Sequence, residues 1–297
     1  MAMIRTDVPQ AGLLARAPSP ALVVGGIASV QFGSALAATL FHRIGPGGAV
    51  LLRLLAATIV LGLIWRPRVR GVARHDVWLA CGFGLILAGM NLTFYHAIQR
   101  IPLGVAVTIE FVGPLGVAVL GSRRPLDLAW VALAVAGIVA LMHGDVHTLN
   151  LLGVVLAVSA GCLWGAYILV NARLGQAFAD GTGLSLAMAV GTCLAMPVGV
   201  AEGGVHLLSW HSLLLGATVG ILSSAIPYSF ELEALRRIAT RVFGVLMSIE
   251  PAMAALAGFV VLGQALSARE AIGIALVVVA SAGASLASRR AAPPLEV

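Results

Sequence analysis

Two acidic residues stand inside long apolar runs, and each is followed by a proline. Glu110 precedes Pro114 by four residues, and Glu250 is followed directly by Pro251. A carboxylate placed inside a membrane costs roughly 2.5–3.5 kcal/mol on insertion scales, so acids there commonly serve ion, proton or substrate pathways. Proline cannot donate to the carbonyl four residues earlier, so a local break would expose further polar groups. We predict that both acids bind a proton or a substrate ammonium. A buried acid kept for packing, beside a plain kink, is the alternative.

A further charge and several neutral polar groups interrupt other apolar runs. Arg53 lies about six residues into its run, and its guanidinium stays charged and needs a partner. It could bind a substrate carboxylate, pair with Glu110 or Glu250, or extend to the membrane interface. Each neutral group alone is more often an interhelical hydrogen-bond partner than a ligand, but together they suit a zwitterion. These neutral candidates are Gln31, Asn91, Tyr95, Tyr167, Asn171 and Tyr228.

The composition is that of a membrane protein. The 297 residues are 60% hydrophobic and only 10% charged, with a mean hydropathy of +1.03, whereas soluble domains carry about 25% charged residues. The apolar runs are about 20 residues long, which suits helices that cross a bilayer. They lack the alternation of barrel strands. We therefore predict an all-α polytopic membrane protein.

Ten apolar runs, separated by charged or turn-forming clusters, are candidate transmembrane helices. The connections between several of them are very short, for example HRIGPG at 42–47, which forces neighbouring helices to be antiparallel. The predicted spans are 21–41, 47–65, 77–98, 102–120, 126–142, 151–171, 184–201, 212–232, 242–262 and 271–288.

The arginines predict how these spans are oriented. All 18 basic residues are arginines, and the net charge is +6. If the N-terminus is cytoplasmic, 14 of them fall in cytoplasmic segments and three on the opposite side, with Arg53 inside a span. Basic residues concentrate in cytoplasmic loops, so both termini are expected in the cytoplasm. Trp65, Trp78 and Trp210 fall near span ends, as interfacial anchors do.

The chain contains an internal repeat. Residues 97–121 and 234–263 share an Arg-Ile pair, a glycine and an Ile-Glu pair with proline close behind, and Glu110 aligns with Glu250. Five spans per copy is an odd number, so the second copy must enter the membrane from the opposite side. Inverted repeats of this kind place substrate sites near the membrane midplane. The predicted segments are a leader at 1–20, repeats at 21–145 and 146–288, and a tail at 289–297.

Several motifs connect the chain to a known family. They are LLRLLAAT at 51–58, NLTFYHAIQRIPLGVAVTIEFVGPL at 91–115, SRRP at 122–125 and IPYSFELEALRRIATRVFGVLMSIEPAMAALAG at 226–258. With these motifs, the two halves resemble EamA-type members of the drug/metabolite transporter superfamily, and within it the bacterial inner-membrane exporters of threonine and homoserine. The resemblance implies a ten-helix fold with both ends cytoplasmic, and export of small amino acids driven by proton exchange.

The predicted function is therefore secondary active transport of small neutral amino acids out of the cell, through a midplane site between inverted repeats. Export of another metabolite or drug, such as a nucleobase or toxic analogue, is the alternative on the same fold. An enzyme is disfavoured because the sequence has no HExxH or GxSxG motif, and no Walker motif for ATP-driven transport occurs.

The expected partners follow from this function. They are a small zwitterionic amino acid, protons and the lipid bilayer, with no nucleic acid. No cofactor or metal is expected, since Cys81, Cys162 and Cys193 lack metal-ligand spacing. The protein is expected to be a monomer or a homodimer.

Overall fold

The computed structural model describes residues 17–67, 72–120, 125–142, 150–178, 181–235, 237–238 and 240–287. Within these residues all regular secondary structure is helical. The predicted tail, Arg123 and Arg124 of the SRRP motif, and all but the last four residues of the predicted leader lie outside the described residues.

Thirteen α-helices follow one another in the described ranges, labelled here in chain order. They are α1 Ser19–Ala38, α2 Phe41–Trp65, α3 Arg74–Ile98, α4 Leu103–Glu110, α5 Val112–Leu120, α6 Pro125–Met142, α7 Leu151–Ala177, α8 Thr182–Gly203, α9 Trp210–Gly220, α10 Ile226–Leu235, α11 Thr240–Met247, α12 Glu250–Leu262 and α13 Ala268–Ala287. A 3-10 turn, Gly204–Leu208, follows α8, and a π-helical turn, Ile221–Ala225, joins α9 to α10.

Six helical segments are long and apolar enough to cross a membrane, judged by length and composition. Backbone polar groups in lipid must be satisfied internally, which makes such apolar segments helical. Two shorter apolar helices, Leu103–Val117 and Ala129–Ala140, lie in the predicted spans 102–120 and 126–142. The six segments are Ser19–Ala38, Phe41–Trp65, Arg74–Ile98, Leu151–Asn171, Thr182–Leu208 and Val242–Leu262. This architecture is that of a polytopic membrane protein.

Apolar side chains also cover the outside of the helices. Leu63, Val205 and Leu208 are largely exposed. Trp78 and Trp210, each in the first turns of its helix, are 76% and 78% exposed. An outer surface of this kind suits lipid rather than water, and tryptophans near helix ends suit the membrane interface.

Helices from distant parts of the chain pack together. The first helix, α1, packs against α10 and α12, while α2 packs against α8. Helix α3 lies against both α7 and α8, and α6 pairs with α13. The N-terminal and C-terminal parts of the chain therefore interdigitate, and polar side chains that are far apart in sequence can face one interior space.

One end of the bundle is joined by a polar clasp between three helices. The Glu202 carboxylate near the end of α8 lies 2.8 Å from Nε2 of His96 on α3 and accepts a 2.7 Å hydrogen bond from the backbone N–H of Gly47 on α2. Helix α2 bends just before this contact at Gly45, whose φ of 68° lies in the left-handed region that favours glycine. The clasp fixes the relative positions of these helix ends.

Helices α4 and α5 approach α7 unusually closely through glycines. A side chain at Gly113 would collide with the backbone carbonyl of Gly161, and a Cβ at Gly161 would lie 2.6 Å from the carbonyl oxygen of Glu110. Small residues permit such close packing of membrane helices. Because the carbonyl of Glu110 is part of this contact, the glycines also set the position of that residue.

We predict that Gly113→Ala destabilises the protein by about 1–3 kcal/mol, the usual effect of overpacking a close contact. The matched control is Gly116→Ala on the same helix, where an added Cβ meets no described atom within 4 Å. The measurement is thermal unfolding of the purified variants in detergent. Equal melting temperatures for the two variants would contradict the proposed close contact.

Candidate functional site

A cavity of about 410 Å³ lies among the helices. Its walls come from α1, α2, α3, α4, α5, α7, α10, α11, α12, α13 and the π-helical turn. The structure brings together most of the predicted site residues here, although they lie far apart in the sequence. The predicted residues that line the cavity are Gln31, Arg53, Asn91, Glu110, Pro114, Tyr167, Asn171 and Glu250.

Glu250 begins α12 and is only 7% exposed. Its Oε1 accepts a 2.9 Å hydrogen bond from Nε2 of Gln31, which is itself 2% exposed. The other carboxyl oxygen, Oε2, and Oε1 of Gln31 are buried and have no hydrogen-bond partner among the described residues. Buried polar atoms without partners are costly. The Glu250 oxygen is therefore suited to accept a proton, and both oxygens are suited to accept a hydrogen bond from an N–H group of a ligand.

The second predicted acid, Glu110, ends α4 and is 9% exposed. Phe111 interrupts the helix there, and Pro114 lies in the first turn of α5. A proline at that position leaves the Glu110 carbonyl without the usual donor from residue 114. The carboxyl group of Glu110 interacts electrostatically with both Glu250 and Arg53. The three charged groups predicted for the site therefore line the same cavity.

A helix is also interrupted beside Glu250. There the interruption precedes the acid, whereas at Glu110 it follows the acid. Helix α11 ends at Met247, and Ser248 and Ile249 separate it from α12. Pro251 is buried in the first turn of α12 and leaves the carbonyl of Met247 without a helical donor. Pro251 itself does not line the cavity, whereas Met247 does. Both acids thus sit beside an interrupted helix.

The guanidinium of Arg53 is held in place by neutral groups. Its Nη1 donates to the Tyr95 hydroxyl at 3.1 Å, and its Nη2 donates to the Ser223 carbonyl at 3.3 Å. The guanidinium carbon lies 5.6 Å from the Tyr95 ring centroid, within the usual range of a cation–π contact. No described carboxylate lies within salt-bridge distance of Arg53, and its buried Nε has no described hydrogen-bond partner.

Tyr95 was predicted to be a substrate-binding or proton-coupling residue, but it does not line the cavity. It is fully buried and lies behind Arg53 rather than in the cavity wall. Its neighbour on the same face, Asn91, does line the cavity and donates from Nδ2 to the Leu87 carbonyl at 2.8 Å. In the structure, Tyr95 therefore orients Arg53.

The π-helical turn between α9 and α10 supplies the second anchor of Arg53. An extra residue in the turn shifts carbonyls out of the α-helical pattern, and such turns are frequent at functional sites. Here the Ser223 carbonyl accepts from Arg53, and the Leu222 carbonyl accepts a 2.6 Å hydrogen bond from the Ser29 hydroxyl. Ser223 lines the cavity, and its buried hydroxyl, which has no described hydrogen-bond partner, lies close to Gly33 of α1.

Aromatic rings form part of the cavity wall. Tyr167 stacks on Phe83 with ring centroids 5.0 Å apart, and Trp164 meets Phe111 edge-on at 5.1 Å. Asn171, one turn beyond Tyr167, is more exposed than the other predicted residues whose side chains the structure describes. The rings give the cavity an apolar surface beside its charged groups.

Two described residues of the predicted site, Tyr95 and Pro251, do not line the cavity, and one acid that does line it was not predicted. The side chain of Tyr228 lies outside the described part of the structure, and Pro251 packs beside the cavity wall. The missed acid is Glu231, a half-buried residue of α10 that lines the cavity. It was overlooked because it falls next to the last residue of the predicted span 212–232, where a charge normally marks a span end. Helix α10 instead continues to Leu235.

Comparisons with known proteins agree with the sequence motifs. The chain is 40% identical over 270 residues to "Threonine/homoserine exporter RhtA" of Salmonella typhimurium (strain SL1344), a match that covers 89% of this chain and 90% of that protein. It is 39% identical over 271 residues to the protein of the same name in Escherichia coli (strain K12), covering 91% and 92% respectively. A more distant relative is "Uncharacterized transporter YxxF" of Bacillus subtilis (strain 168), at 22% identity over 77% of each chain.

The fold also has a solved counterpart. A crystal structure that is 20% identical in sequence matches with a TM-score of 0.62, covering 91% of this chain and 98% of the other. The EamA-like transporter family matches residues 151–286. The chain is also 39–40% identical to the two exporters over about nine-tenths of their length. It therefore belongs to the EamA-like transporter family.

Proposed function

We propose that this transporter exports small neutral amino acids, of the threonine and homoserine kind, across the bacterial inner membrane by proton antiport. The observation that carries the proposal is the common cavity in which Arg53, Glu110 and Glu250 meet without a salt bridge among the described residues. A zwitterion requires one cationic and one anionic partner, and this cavity contains both. The names of the two relatives, which are threonine/homoserine exporters, support the substrate class.

The carboxylate of the substrate is assigned to Arg53. Tyr95 and the Ser223 carbonyl hold the guanidinium in place from behind, while Nε has no described partner. An arginine held in this way is pre-organised, so little side-chain freedom is lost when a carboxylate binds. The substrate ammonium is assigned to the free oxygens of Glu250 and Gln31, which can accept its N–H groups.

Proton coupling is assigned to Glu110 and Glu250. Two carboxylates in one buried cavity repel each other when both are ionised, and Glu110 interacts electrostatically with Glu250. An arriving substrate ammonium favours the ionised form of the acid that it meets. Substrate binding and proton release are thereby coupled, as antiport requires.

In this proposal the transporter has ten spans arranged as two inverted halves, residues 21–145 and 146–288. Both termini are cytoplasmic. The alignment of Glu110 with Glu250 and the interrupted helix beside each acid support this arrangement. Interrupted helices beside a midplane site recur in transporters built from inverted repeats. Rocking of one half against the other would open the cavity to each side in turn.

We predict that Glu110→Gln and Glu250→Gln each remove the stimulation of export by a pH gradient, because glutamine cannot exchange a proton. The measurement is efflux of labelled threonine from loaded proteoliposomes, with and without an acidic external medium. Glu270→Gln is the control, since Glu270 lies in the first turn of α13 and is not among the residues that line the cavity. Its carboxylate accepts a 2.7 Å hydrogen bond from the Ser267 N–H, which a glutamine side chain can also accept. The proton role is wrong if both variants keep the stimulation of the wild-type protein.

We predict that Arg53→Lys raises the KM for threonine by about 10- to 100-fold, the loss expected for a hydrogen bond between charged groups of about 1.5–3 kcal/mol. Lysine keeps the charge but lacks the planar donor set. The measurement compares threonine with its amino alcohol, which has no carboxylate. Exposed Arg43→Lys serves as the control. An equal loss for both ligands would contradict the carboxylate assignment.

We predict that reporter fusions place residues 100, 124 and 290 on the sides of the membrane expected for ten spans with a cytoplasmic N-terminus. Alkaline phosphatase fused after residue 100 should be active outside the cytoplasm, and fusions after residues 124 and 290 should be inactive. Green fluorescent protein at the last two positions should be fluorescent. An active phosphatase at residue 290 would require an odd number of spans or the opposite orientation of the chain.

A competition assay distinguishes amino-acid export from the alternative, export of a nucleobase, drug or toxic analogue. Unlabelled threonine or homoserine should inhibit efflux of labelled threonine from the same vesicles, and a nucleobase should not.

A further inference from the structure

The cavity contains more negative groups than a neutral amino acid can use. Three carboxyl groups line it, those of Glu110, Glu231 and Glu250, whereas Arg53 is the only basic residue among the described lining residues. A bound zwitterion would occupy Arg53 and one acid. Two acids then remain, and ionised acids in a membrane interior need compensation by a cation or a proton.

The charged groups form a series. Arg53 interacts electrostatically with Glu110, Glu110 with Glu250, and Glu250 with Glu231. Glu231 lies on α10, which follows the π-helical turn, and its side chain is half-buried. No described basic side chain forms a salt bridge with it. Glu231 therefore adds a third carboxyl group to the cavity, as an electrostatic neighbour of Glu250.

Two further observations point to a ligand in this region. Oε2 of Glu250 is buried without a described hydrogen-bond partner in a side chain that is more than nine-tenths buried. The cavity volume of about 410 Å³ lies in the range of roughly 300–1,000 Å³ that holds drug-sized ligands. That is more room than threonine needs. Phe243 and Met247 in the same wall offer an apolar surface to a longer alkyl side chain.

We propose that the cavity also accepts amino acids that carry a second cationic group, such as diamino acids, and that Glu231 binds that group. The α-carboxylate contacts Arg53, the α-ammonium contacts Glu250 and Gln31, and the side-chain ammonium reaches Glu231. This inference rests on the proposed function, because it uses the same orientation of the amino-acid backbone. It goes further by naming a second substrate class and a residue that determines specificity.

The test compares two substrates in the full-length transporter. Proteoliposomes are loaded with labelled threonine or labelled ornithine, and kcat/KM for efflux is measured for each. The wild-type protein should export both. Glu231→Gln should lower the ornithine-to-threonine ratio of kcat/KM by about tenfold or more, as expected when a hydrogen bond between charged groups is lost. Glu231→Asp should restore part of the ratio, and the control Glu270→Gln, outside the cavity lining, should leave it unchanged.

Each other outcome has a definite meaning. If the transporter exports threonine, but ornithine is neither exported nor competes with threonine, this inference is wrong and the proposed function stands. An equal loss of both substrates in Glu231→Gln also overturns it, because Glu231 would then act in proton exchange or in folding. Binding of the two substrates to the detergent-purified variant, together with its thermal unfolding, separates these last two cases. Failure to export or bind any neutral amino acid rejects the proposed function itself.

Discussion

The cost of placing charged groups in an apolar membrane interior is the constraint on which this structure depends. An arginine and three glutamates lie among helices whose outer surfaces are apolar. Such groups are tolerated only where partners, protons or a polar ligand compensate them. The fold meets this requirement by placing all four around one cavity. Hydrogen bonds from Arg53 to Tyr95 and Ser223, and from Gln31 to Glu250, satisfy part of their polar atoms.

The helix irregularities are arranged around the same cavity. α4 ends at Glu110, α12 begins at Glu250, and the π-helical turn presents the Ser223 carbonyl to Arg53. Each irregularity frees backbone groups that a regular helix would use internally, and in a membrane such groups are tolerated only inside protein or along a polar cavity. Close glycine contacts between α5 and α7 hold one of these breaks in position. Architecture and chemistry therefore depend on the same few residues.

Much of the fold followed from composition and from the position of charges. Long apolar runs can be satisfied in lipid only as helices, so the all-helical class and the approximate helix positions could be predicted. The helix ends were less predictable. Arg74 and Ser19 begin helices earlier than the apolar runs at 77 and 21 begin, and α10 continues past 232 to Leu235. Polar residues at a helix end extend into the interfacial region, where hydropathy no longer marks the boundary. That is also why Glu231 was missed.

We could predict from the sequence the membrane class, the family, and the two acids and the arginine that a membrane interior makes costly. Those conclusions depend on residue type and local pattern, which need no coordinates. The contacts between polar groups, in contrast, became visible only in the packed helices. Tyr95 supports Arg53, Gln31 binds Glu250 across 219 residues of sequence, and Glu231 lines the same cavity. The physical reason is that helix packing, rather than sequence separation, sets the distance between side chains. A helix face becomes a cavity wall only when its neighbours are in place.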